Sequence, residues 1–126
     1  MKYVFVLLFC LSIFTNCAQD SDRLVLGLQH AKEELSEALN TKGIHNVVDN
    51  KSAIIKDSLT AINVAEPILF SIYGRENIIK QKPYEIYNID NHWILTGTLP
   101  EGFMGGTFLI IIDDRNSRVI RITHGK

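Results

Sequence analysis

The spacing of apolar residues changes twice along the chain. Residues 3–14 form an almost unbroken apolar run, apolar residues from 24 to 72 recur at steps of three and four, and those after 84 tend to alternate. Steps of three and four line one face of a helix, and steps of two line one face of a strand. The chain therefore predicts a leading segment, then helices, then a sheet, which is the order of an α+β fold.

The first predicted helix is defined by one apolar stripe. It is expected to open near Ser21, a candidate N-cap, and to run to about Asn40. The stripe consists of Leu24, Leu28, Ala31, Leu35 and Leu39. The opposite face is charged, so the helix is predicted to bury one side only.

A second helical pattern follows a polar connection. It is expected to open at Asn50 or Ser52 and to end at Gly74. Pro67 falls within the pattern, where proline either kinks a helix or starts a new one. Residues 76–81 are expected to add one more turn.

The alternation after residue 84 begins with a predicted hairpin. Residues 84–89 and 92–99 form the two strands, and Asp90-Asn91 lies between them. Asp and Asn tolerate the positive φ angles that a two-residue hairpin turn requires. The register of this hairpin is therefore predicted to centre on Asp90 and Asn91.

Two further strands complete the predicted sheet. Residues 107–112 are nearly all apolar, which predicts a central strand that is buried on both faces. Residues 118–124 alternate, which predicts a strand buried on one face, the face of Ile120 and Ile122. We expect an α+β domain in which two or three N-terminal helices cover one face of a curved antiparallel sheet of about four strands.

The N-terminus has the pattern of a targeting segment. Lys2 precedes the apolar run of residues 3–14, as in a secretory signal peptide. A bilayer span needs about 20 apolar residues, so the run is short for a permanent anchor. A signal peptide is predicted over residues 1–16, with a short membrane-anchored helix as the alternative.

The end of the run carries a candidate lipidation site. Phe14-Thr15-Asn16-Cys17 resembles a bacterial lipobox, in which the Cys becomes the acylated first residue of the mature protein. We expect a lipidated Cys17 with a polar tether after it, together residues 17–22, and a folded domain over residues 23–126. Conventional cleavage near Ala18 is the alternative. Lipidation predicts an exported protein held at a membrane of the cell envelope, in the periplasm or at the outer membrane.

Composition removes several functional classes. Thirteen basic residues face 14 acidic residues, so the basic excess of a nucleic-acid-binding protein is missing. Cys10 would leave with the signal peptide, and Cys17 would be acylated. A disulfide, a cysteine metal site and Cys-His catalysis are therefore not expected.

The C-terminal half carries a series of specific motifs. In chain order they are Ala65-Glu66-Pro67-Ile68-Leu69, Ile72-Tyr73-Gly74, Gln81-Lys82-Pro83-Tyr84, Trp93-Ile94, Gly97-Thr98-Leu99-Pro100, Gly105-Gly106-Thr107-Phe108 and His124-Gly125-Lys126. Together they resemble the NTF2-fold immunity proteins of bacterial polymorphic toxin systems, over about residues 62–126. The resemblance implies a cone-like α+β domain. It also implies a partner, a cognate toxin, which the protein would neutralise by direct occlusion without catalysis.

Two features depart from the family pattern. Asn116-Ser117 occupies the final turn, where family members often have Gly, and the difference bears on the geometry of that turn. Many immunity proteins are also cytosolic, whereas this chain carries an export signal. If both interpretations hold, the toxin acts outside the cytoplasm.

The motif residues are expected to be mainly structural. They are Tyr73, Gly74, Pro83, Tyr84, Trp93, Gly97, Leu99, Pro100, Gly105, Gly106, His124, Gly125 and Lys126. Tyr84 and Trp93 are expected to fill the core, with an interface role as the alternative, and Gly97 to mark a bulge or bend. The terminal His-Gly-Lys segment either contacts a partner or closes the sheet edge.

No constellation in the sequence indicates a catalytic, cofactor or metal site. The four histidines His30, His45, His92 and His124 show no metal-ligand spacing. An NTF2-like enzyme would draw its acid-base groups from Glu66, Tyr73, Tyr84 and His124. Nothing in the sequence unites these in one pocket. An envelope lipoprotein that binds a small ligand in its cone, or a structural envelope lipoprotein, are the alternatives to an immunity protein.

Overall fold

A computed structural model describes residues 23–40 and 45–125. The chain divides into two units, Met1–Lys42 and Gly43–Lys126. The predicted signal peptide (1–16), Cys17 with its tether (17–22) and Lys126 lie outside the described residues. Those interpretations, and the single domain over residues 23–126, stay predictions.

The described part of the first unit contains one helix. α1 spans Gly27–Asn40 and so begins later than the predicted start near Ser21, because residues 23–26 are not helical. Gly27 has a φ of +82°, a left-handed conformation that sets the first turn apart from the preceding chain. Leu24 therefore precedes the helix, and no residue of α1 is buried.

The second unit begins its regular structure at α2, Ser58–Tyr73. Asp57 is its N-cap, and the Asp57 carboxylate accepts a hydrogen bond from the Thr60 N–H at 2.8 Å. The predicted start at Asn50 or Ser52 is wrong. There Asp49 accepts bonds from the N–H groups two and three residues further on, which forms a local turn instead of a helix.

The end of α2 matches the prediction. Pro67 lies within the continuous helix and starts no second one. Gly74 caps α2 with a φ of +84°, and its N–H donates to the Phe70 carbonyl at 3.0 Å. The short helix α3, Arg75–Ile79, supplies the additional turn that was predicted.

The sheet is an antiparallel meander in the order β1-β2-β3-β4. Its strands are β1 (Glu85–Ile89), β2 (His92–Thr96), β3 (Phe108–Asp113) and β4 (Val119–His124). The β1–β2 turn contains Asp90 and Asn91 at φ angles of +48° and +61°, as the hairpin prediction requires. The last turn has Ser117 at a φ of +61°, so a serine takes the left-handed position that glycine favours.

A β-bulge in β4 changes which of its side chains face the core. Ile111 pairs with Arg121, but Ile112 pairs with Val119, so Ile120 is an extra residue on β4. Val119 and Ile122 pack against the core, while Ile120 is 44% exposed. The prediction that Ile120 and Ile122 share the buried face is wrong, because the bulge breaks the alternation between them.

The core lies between α2 and one face of the sheet. Ala61, Ala65 and Leu69 recur every four residues on α2 and are buried. They belong to one apolar cluster with Ile55, Ile78, Trp93, Leu95, Phe108, Ile110 and Ile112. The two alanines keep the helix side chains short against the larger residues of β2 and β3. The α+β class and the four-stranded antiparallel sheet are confirmed.

The outer face of β3 is less buried than predicted. Leu109 and Ile111 are half-buried, whereas Phe108, Ile110 and Ile112 are fully buried. The apolar run therefore reflects a central strand with one fully buried face. Within the described residues, no helix combines the length and the apolar character that crossing a membrane requires.

Candidate functional site

The motif segments converge where β2 ends, β3 begins and β4 ends. Phe108 pairs with His124, and the Gly97 N–H donates to the Phe108 carbonyl at 3.1 Å. The Gly125 N–H donates to the Thr107 carbonyl at 3.0 Å, which extends the β3–β4 ladder beyond the strand ends. We call this side of the sheet the pocket end. The opposite side, where the β1–β2 and β3–β4 turns lie, is the turn end.

Gln81 is the buried centre of the pocket end. Its side chain is almost inaccessible, at 2% exposure. The Gln81 Oε1 accepts from the Phe108 N–H at 2.9 Å, and the Gln81 Nε2 donates to the Asn77 carbonyl at 2.8 Å. The Gln81 backbone carbonyl accepts from the Thr98 N–H at 2.9 Å. One amide residue thus ties the exit of α3 to β3 and to the loop after β2.

The bonds of Gln81 also orient its amide toward His124. A backbone N–H can only donate, so Oε1 must face Phe108 and Nε2 must face His124, whose Nε2 lies 3.4 Å away. The His124 Nδ1 lies 2.8 Å from the Gly125 carbonyl oxygen, which can only accept. The His124 Nδ1 therefore donates to this carbonyl, and the His124 Nε2 faces the Gln81 amide. The Tyr73 ring lies 5.1 Å from the imidazole.

Two motif glycines are required by close packing at this end. A Cβ at Gly97 would overlap the Gln81 side chain, and one at Gly106 would overlap the Gly125 carbonyl. Gly97 directly follows β2, whose pairings with β1 and β3 are regular up to Thr96. Its role is to leave space for the buried amide.

A pocket of about 530 Å³ opens beside Gln81. Its lining residues are Tyr73, Asn77, Lys80, Gln81, Leu99, Met104, Gly105, Gly106 and His124. The Lys80 Nζ donates to the Asn77 Oδ1 at 3.0 Å. Among these described lining residues, Lys80 carries the one fixed charge and none is acidic. The pocket therefore combines a cation and an imidazole with an apolar rim.

The rim of the pocket continues into an exposed apolar loop. Between β2 and β3, Leu99 is 38% exposed, Phe103 69% and Met104 99%. The Phe103 N–H donates to the Pro100 carbonyl at 3.1 Å, so the loop contains a tight turn. Three large apolar residues within six positions form a local exposed patch, the kind of surface that marks interaction sites.

Glu66 and Tyr84 form a separate structural cluster. The Tyr84 hydroxyl donates to the Glu66 Oε1 at 3.0 Å, and the Lys82 Nζ lies 2.8 Å from the same oxygen. Burial first, and then the bond to Glu66, raises the pKa of Tyr84 well above its usual value. The Tyr84 ring also meets the Phe108 ring edge-on at 5.0 Å. The cluster joins α2 to the segment that contains Pro83, which follows a cis peptide bond.

Charged groups organise the turn end. Arg115 donates two hydrogen bonds to the buried Asp113, from Nε at 2.9 Å and from a terminal nitrogen at 2.7 Å. These bonds hold the pKa of Asp113 well below its usual value. The fork geometry fixes both residues at the start of the β3–β4 turn.

Asp114 joins the turn end to the loop before α2. Its backbone carbonyl accepts from the N–H groups of Ile54 at 2.8 Å and Ile55 at 3.0 Å. The Asp114 Oδ2 accepts from the Asn88 side chain at 3.0 Å, while the buried Oδ1 has no hydrogen-bond partner among the described residues. The Trp93 Nε1 donates to the Ile55 carbonyl at 2.9 Å, so the indole also anchors this loop.

The sequence candidates for acid-base chemistry separate into two pairs. Glu66 lies with Tyr84 in the structural cluster, and Tyr73 lies with His124 at the pocket. In the part of the chain that the structure describes, no three His, Cys, Asp or Glu residues are grouped so that they could hold a metal ion.

Several motif residues reach the pocket, and others do not. Tyr73, Leu99, Gly105, Gly106 and His124 line it. Gly74, Pro83, Tyr84, Trp93, Gly97, Pro100 and Gly125 lie outside its lining.

The candidate residues did not include Asn77, Lys80 and Gln81, which form the polar wall of the pocket. A signal for Gln81 was present. Its segment, Gln81-Lys82-Pro83-Tyr84, is one of the motifs, and Gln81 lies just after the end of α3. The position of Gln81 at the centre of the pocket end depends on contacts with residues that are distant in the sequence.

Comparison with known proteins identifies relatives of this chain. Two curated relatives come from Escherichia coli (strain K12): the uncharacterized protein YhhH, 31% identical over 74 residues, and the uncharacterized protein YbbC, 33% identical over 73 residues. The alignments cover 58% and 57% of this chain, and 58% and 60% of the relatives. The chain thus spans about three fifths of the length of either relative. No solved structure shows a significant match.

A family model supplies the assignment. The model described as NTF2 fold immunity protein matches residues 60–126. The matched region begins in α2, contains all four strands and includes every residue that lines the pocket. Since the match covers more than half of the chain, the protein belongs to the family of NTF2-fold immunity proteins.

Proposed function

We propose that this protein binds a cognate bacterial toxin, made by the same or a sibling cell, and neutralises it by direct occlusion. The observation that carries the proposal is the family match over residues 60–126. Occlusion requires a stable surface that fits the toxin and no chemistry at that surface. The proposal therefore covers both the partner, a toxin, and the mode of action, occlusion.

The arrangement of acid-base groups supports binding without catalysis. Glu66, the carboxylate candidate, already accepts from Tyr84 and pairs with Lys82. His124 uses its Nδ1 proton on the Gly125 carbonyl and faces Gln81 with its Nε2. A general base needs a free lone pair within reach of a substrate proton. Glu66 and His124, two of the four candidates, are each engaged in contacts within the fold.

The proposed site of action is the cell envelope. Lys2, the apolar run and Cys17 support export followed by lipidation. A protein anchored through Cys17 would meet a toxin outside the cytoplasm. The proposed target is therefore a toxin that attacks the envelope or passes through it.

Lipidation has a direct test in Cys17→Ser. Cells that express the full chain are grown with a labelled fatty acid and then fractionated. We expect label on the wild-type protein in the membrane fraction, and no label on the Cys17→Ser variant. Label retained on Cys17→Ser would exclude acylation at this residue. An unlabelled wild-type protein, released without its first 17 residues, would instead indicate conventional cleavage near Ala18.

The toxin itself is sought among the products of the flanking genes. The full chain carries an affinity tag within the tether (residues 18–22), which leaves Cys17 and Lys126 unaltered. Each flanking product is directed to the periplasm of a susceptible host with and without the tagged chain. We expect one product to stop growth, the chain to restore growth, and the two proteins to form a stoichiometric complex with a Kd of about 1 nM.

A second candidate function follows from the pocket of about 530 Å³. An envelope lipoprotein could hold a small ligand there, because such volumes suit small molecules. Native mass spectrometry of the purified chain separates the alternatives. A co-purifying small molecule, together with no binding to any flanking product, would favour the ligand-binding function. A growth defect on deletion without any toxin would favour a structural role.

A further inference from the structure

We propose that the toxin docks on the pocket end and inserts an acidic side chain into the pocket. The docking surface consists of the pocket together with the exposed residues Leu99, Phe103 and Met104. This inference rests on the proposed function and specifies where the toxin binds and what chemistry it presents.

The apolar part of the surface includes side chains of the pocket lining and of the exposed loop beside it. Leu99 and Met104 line the pocket and are also exposed, and Phe103 lies between them in the sequence. An exposed aromatic next to a cavity is a common binding hot spot, because a partner can cover it completely. Covering Phe103 and Met104 would remove a large apolar area from water, which favours association.

The charge of the pocket selects the inserted group. The Lys80 ammonium has three donors and makes one hydrogen bond with the described residues, to the Asn77 Oδ1. Among the described residues, no carboxylate lies within ion-pair distance of it, and no acidic residue lines the pocket. A carboxylate from the toxin would fill the remaining donors. Its attraction to Lys80 would strengthen as docking excludes water.

The floor of the pocket is formed by contacts within the protein itself. Gln81 is held through Phe108 and Asn77, and Gly106 packs directly on Gly125. A partner that binds a preformed surface loses less conformational entropy than one that must order it. The pocket end is therefore suited to tight binding with little rearrangement.

The outer face of the sheet offers a matched comparison. Tyr87 on β1 is 54% exposed, close to the 69% of Phe103, and it does not line the pocket. Lys56 is exposed like Lys80 but follows Ile55, which is bonded to the turn end. These residues provide an aromatic and a cationic control.

The experiment measures the affinity of the tagged full chain for the flanking-gene toxin. We expect Phe103→Ala and Lys80→Glu each to weaken binding at least about tenfold and to reduce protection in cells. Tyr87→Ala and Lys56→Glu should stay within about threefold of the wild type. Lys80→Met removes the charge without reversing it and should fall between the wild type and Lys80→Glu. Equal unfolding midpoints for all variants establish that folding is unaffected.

The outcomes separate this inference from the proposed function. If the wild-type chain binds and protects while Phe103→Ala and Lys80→Glu bind equally well, the docking site is wrong and the immunity function stands. If Tyr87→Ala loses affinity instead, the sheet face is the docking surface. If Lys80→Met and Lys80→Glu bind like the wild type while Phe103→Ala does not, the inserted group is not acidic. If no flanking product binds the wild-type chain, both proposals fall.

Discussion

The two ends of the sheet hold their loops with different kinds of polar group. At the pocket end, one neutral amide, Gln81, connects α3, β3 and the loop after β2. At the turn end, Asp113 and Asp114 do the corresponding work, one through Arg115 and one through backbone N–H groups. Both ends bury polar side chains, but the buried Gln81 amide of the pocket end is neutral, whereas the buried Asp113 of the turn end is paired with a charged Arg115.

The difference separates the recognition of a partner from the stabilisation of the fold. A neutral amide with its donors and acceptor engaged keeps the same bonds at any ordinary pH and leaves the nearby surface free to carry another charge. Lys80 is that charge, and it remains available beside the pocket. An ion pair such as Asp113–Arg115 uses its charges internally. The pocket end is thus suited to recognition, and Asp113 makes the turn end sensitive to acid.

The largest expected effect comes from Gln81→Leu. The substitution keeps most of the side-chain volume but leaves the Phe108 N–H and the Asn77 carbonyl without their partner. Unsatisfied buried groups cost about 1–3 kcal/mol each, so we expect a loss of about 2–4 kcal/mol in the free energy of unfolding. Urea denaturation measures it.

Gln29→Leu is the matched control for that substitution. Gln29 lies on α1, where it is exposed and donates to Glu33 at 2.9 Å. Its replacement should change the free energy of unfolding by less than about 0.5 kcal/mol. A Gln81→Leu variant as stable as Gln29→Leu would mean that the buried amide does not hold the pocket end together.

The next effect links Gln81 to Gly97. Gly97→Ala places a methyl group against a side chain that is fixed at its far end, so we expect a loss of about 2 kcal/mol. Gln81→Ala frees that space. In the Gln81→Ala background, Gly97→Ala should therefore cost less than about 0.5 kcal/mol, a coupling that a double-mutant cycle in urea detects.

Gly102→Ala separates packing from backbone strain. A Cβ at Gly102 meets open space, but its φ of +81° disfavours an L residue by about 1 kcal/mol. That cost should be the same in the wild-type chain and in the Gln81→Ala background. Equal costs of Gly97→Ala in both backgrounds would show that the Gly97 requirement does not come from the amide.

The order and class of the elements could be predicted because they depend on local pattern. Asp90-Asn91 supplied its own turn geometry, and Gly74 supplied its own cap. Local pattern also explains why the start of α2 was predicted too early. Asp49 makes the N-cap type of bonds eight residues before Asp57 does, and only Asp57 is followed by a helix.

The features that could not be predicted depend on contacts between distant residues. The bulge at Ile120 follows from the pairing of β3 with β4 and leaves no mark in an alternating sequence. The role of Gln81 depends on Phe108, 27 residues away. The motifs indicated the pocket end through Tyr73 and His124, but the charge of the pocket, at Lys80, became apparent only in three dimensions.

The last prediction concerns the pH dependence of stability at the turn end. The pKa of Asp113 is below its ordinary value of 3.8, chiefly because Arg115 donates to its carboxylate. A depressed pKa stabilises the fold above the ordinary value, and this stabilisation is lost as the pH falls below it. Asp113→Asn should therefore be less stable than the wild type at about pH 5–7, and the difference should shrink below pH ~4. Urea unfolding at a series of pH values from ~2.5 to ~7 measures the free energy of unfolding of the wild type and of Asp113→Asn.

Asp90→Asn is the control for this last experiment. Asp90 lies at the same end, in the β1–β2 turn, and its side chain makes no ion pair with any residue that the structure describes. Asn tolerates the left-handed conformation that Asp90 adopts, so the turn is retained. Below pH ~4, the free energy of unfolding of Asp90→Asn should change with pH as that of the wild type does. If the free energy of unfolding of Asp113→Asn shows the same pH dependence as that of the wild type, the Asp113–Arg115 pair contributes nothing to acid sensitivity. The contrast between the two ends is then limited to their geometry.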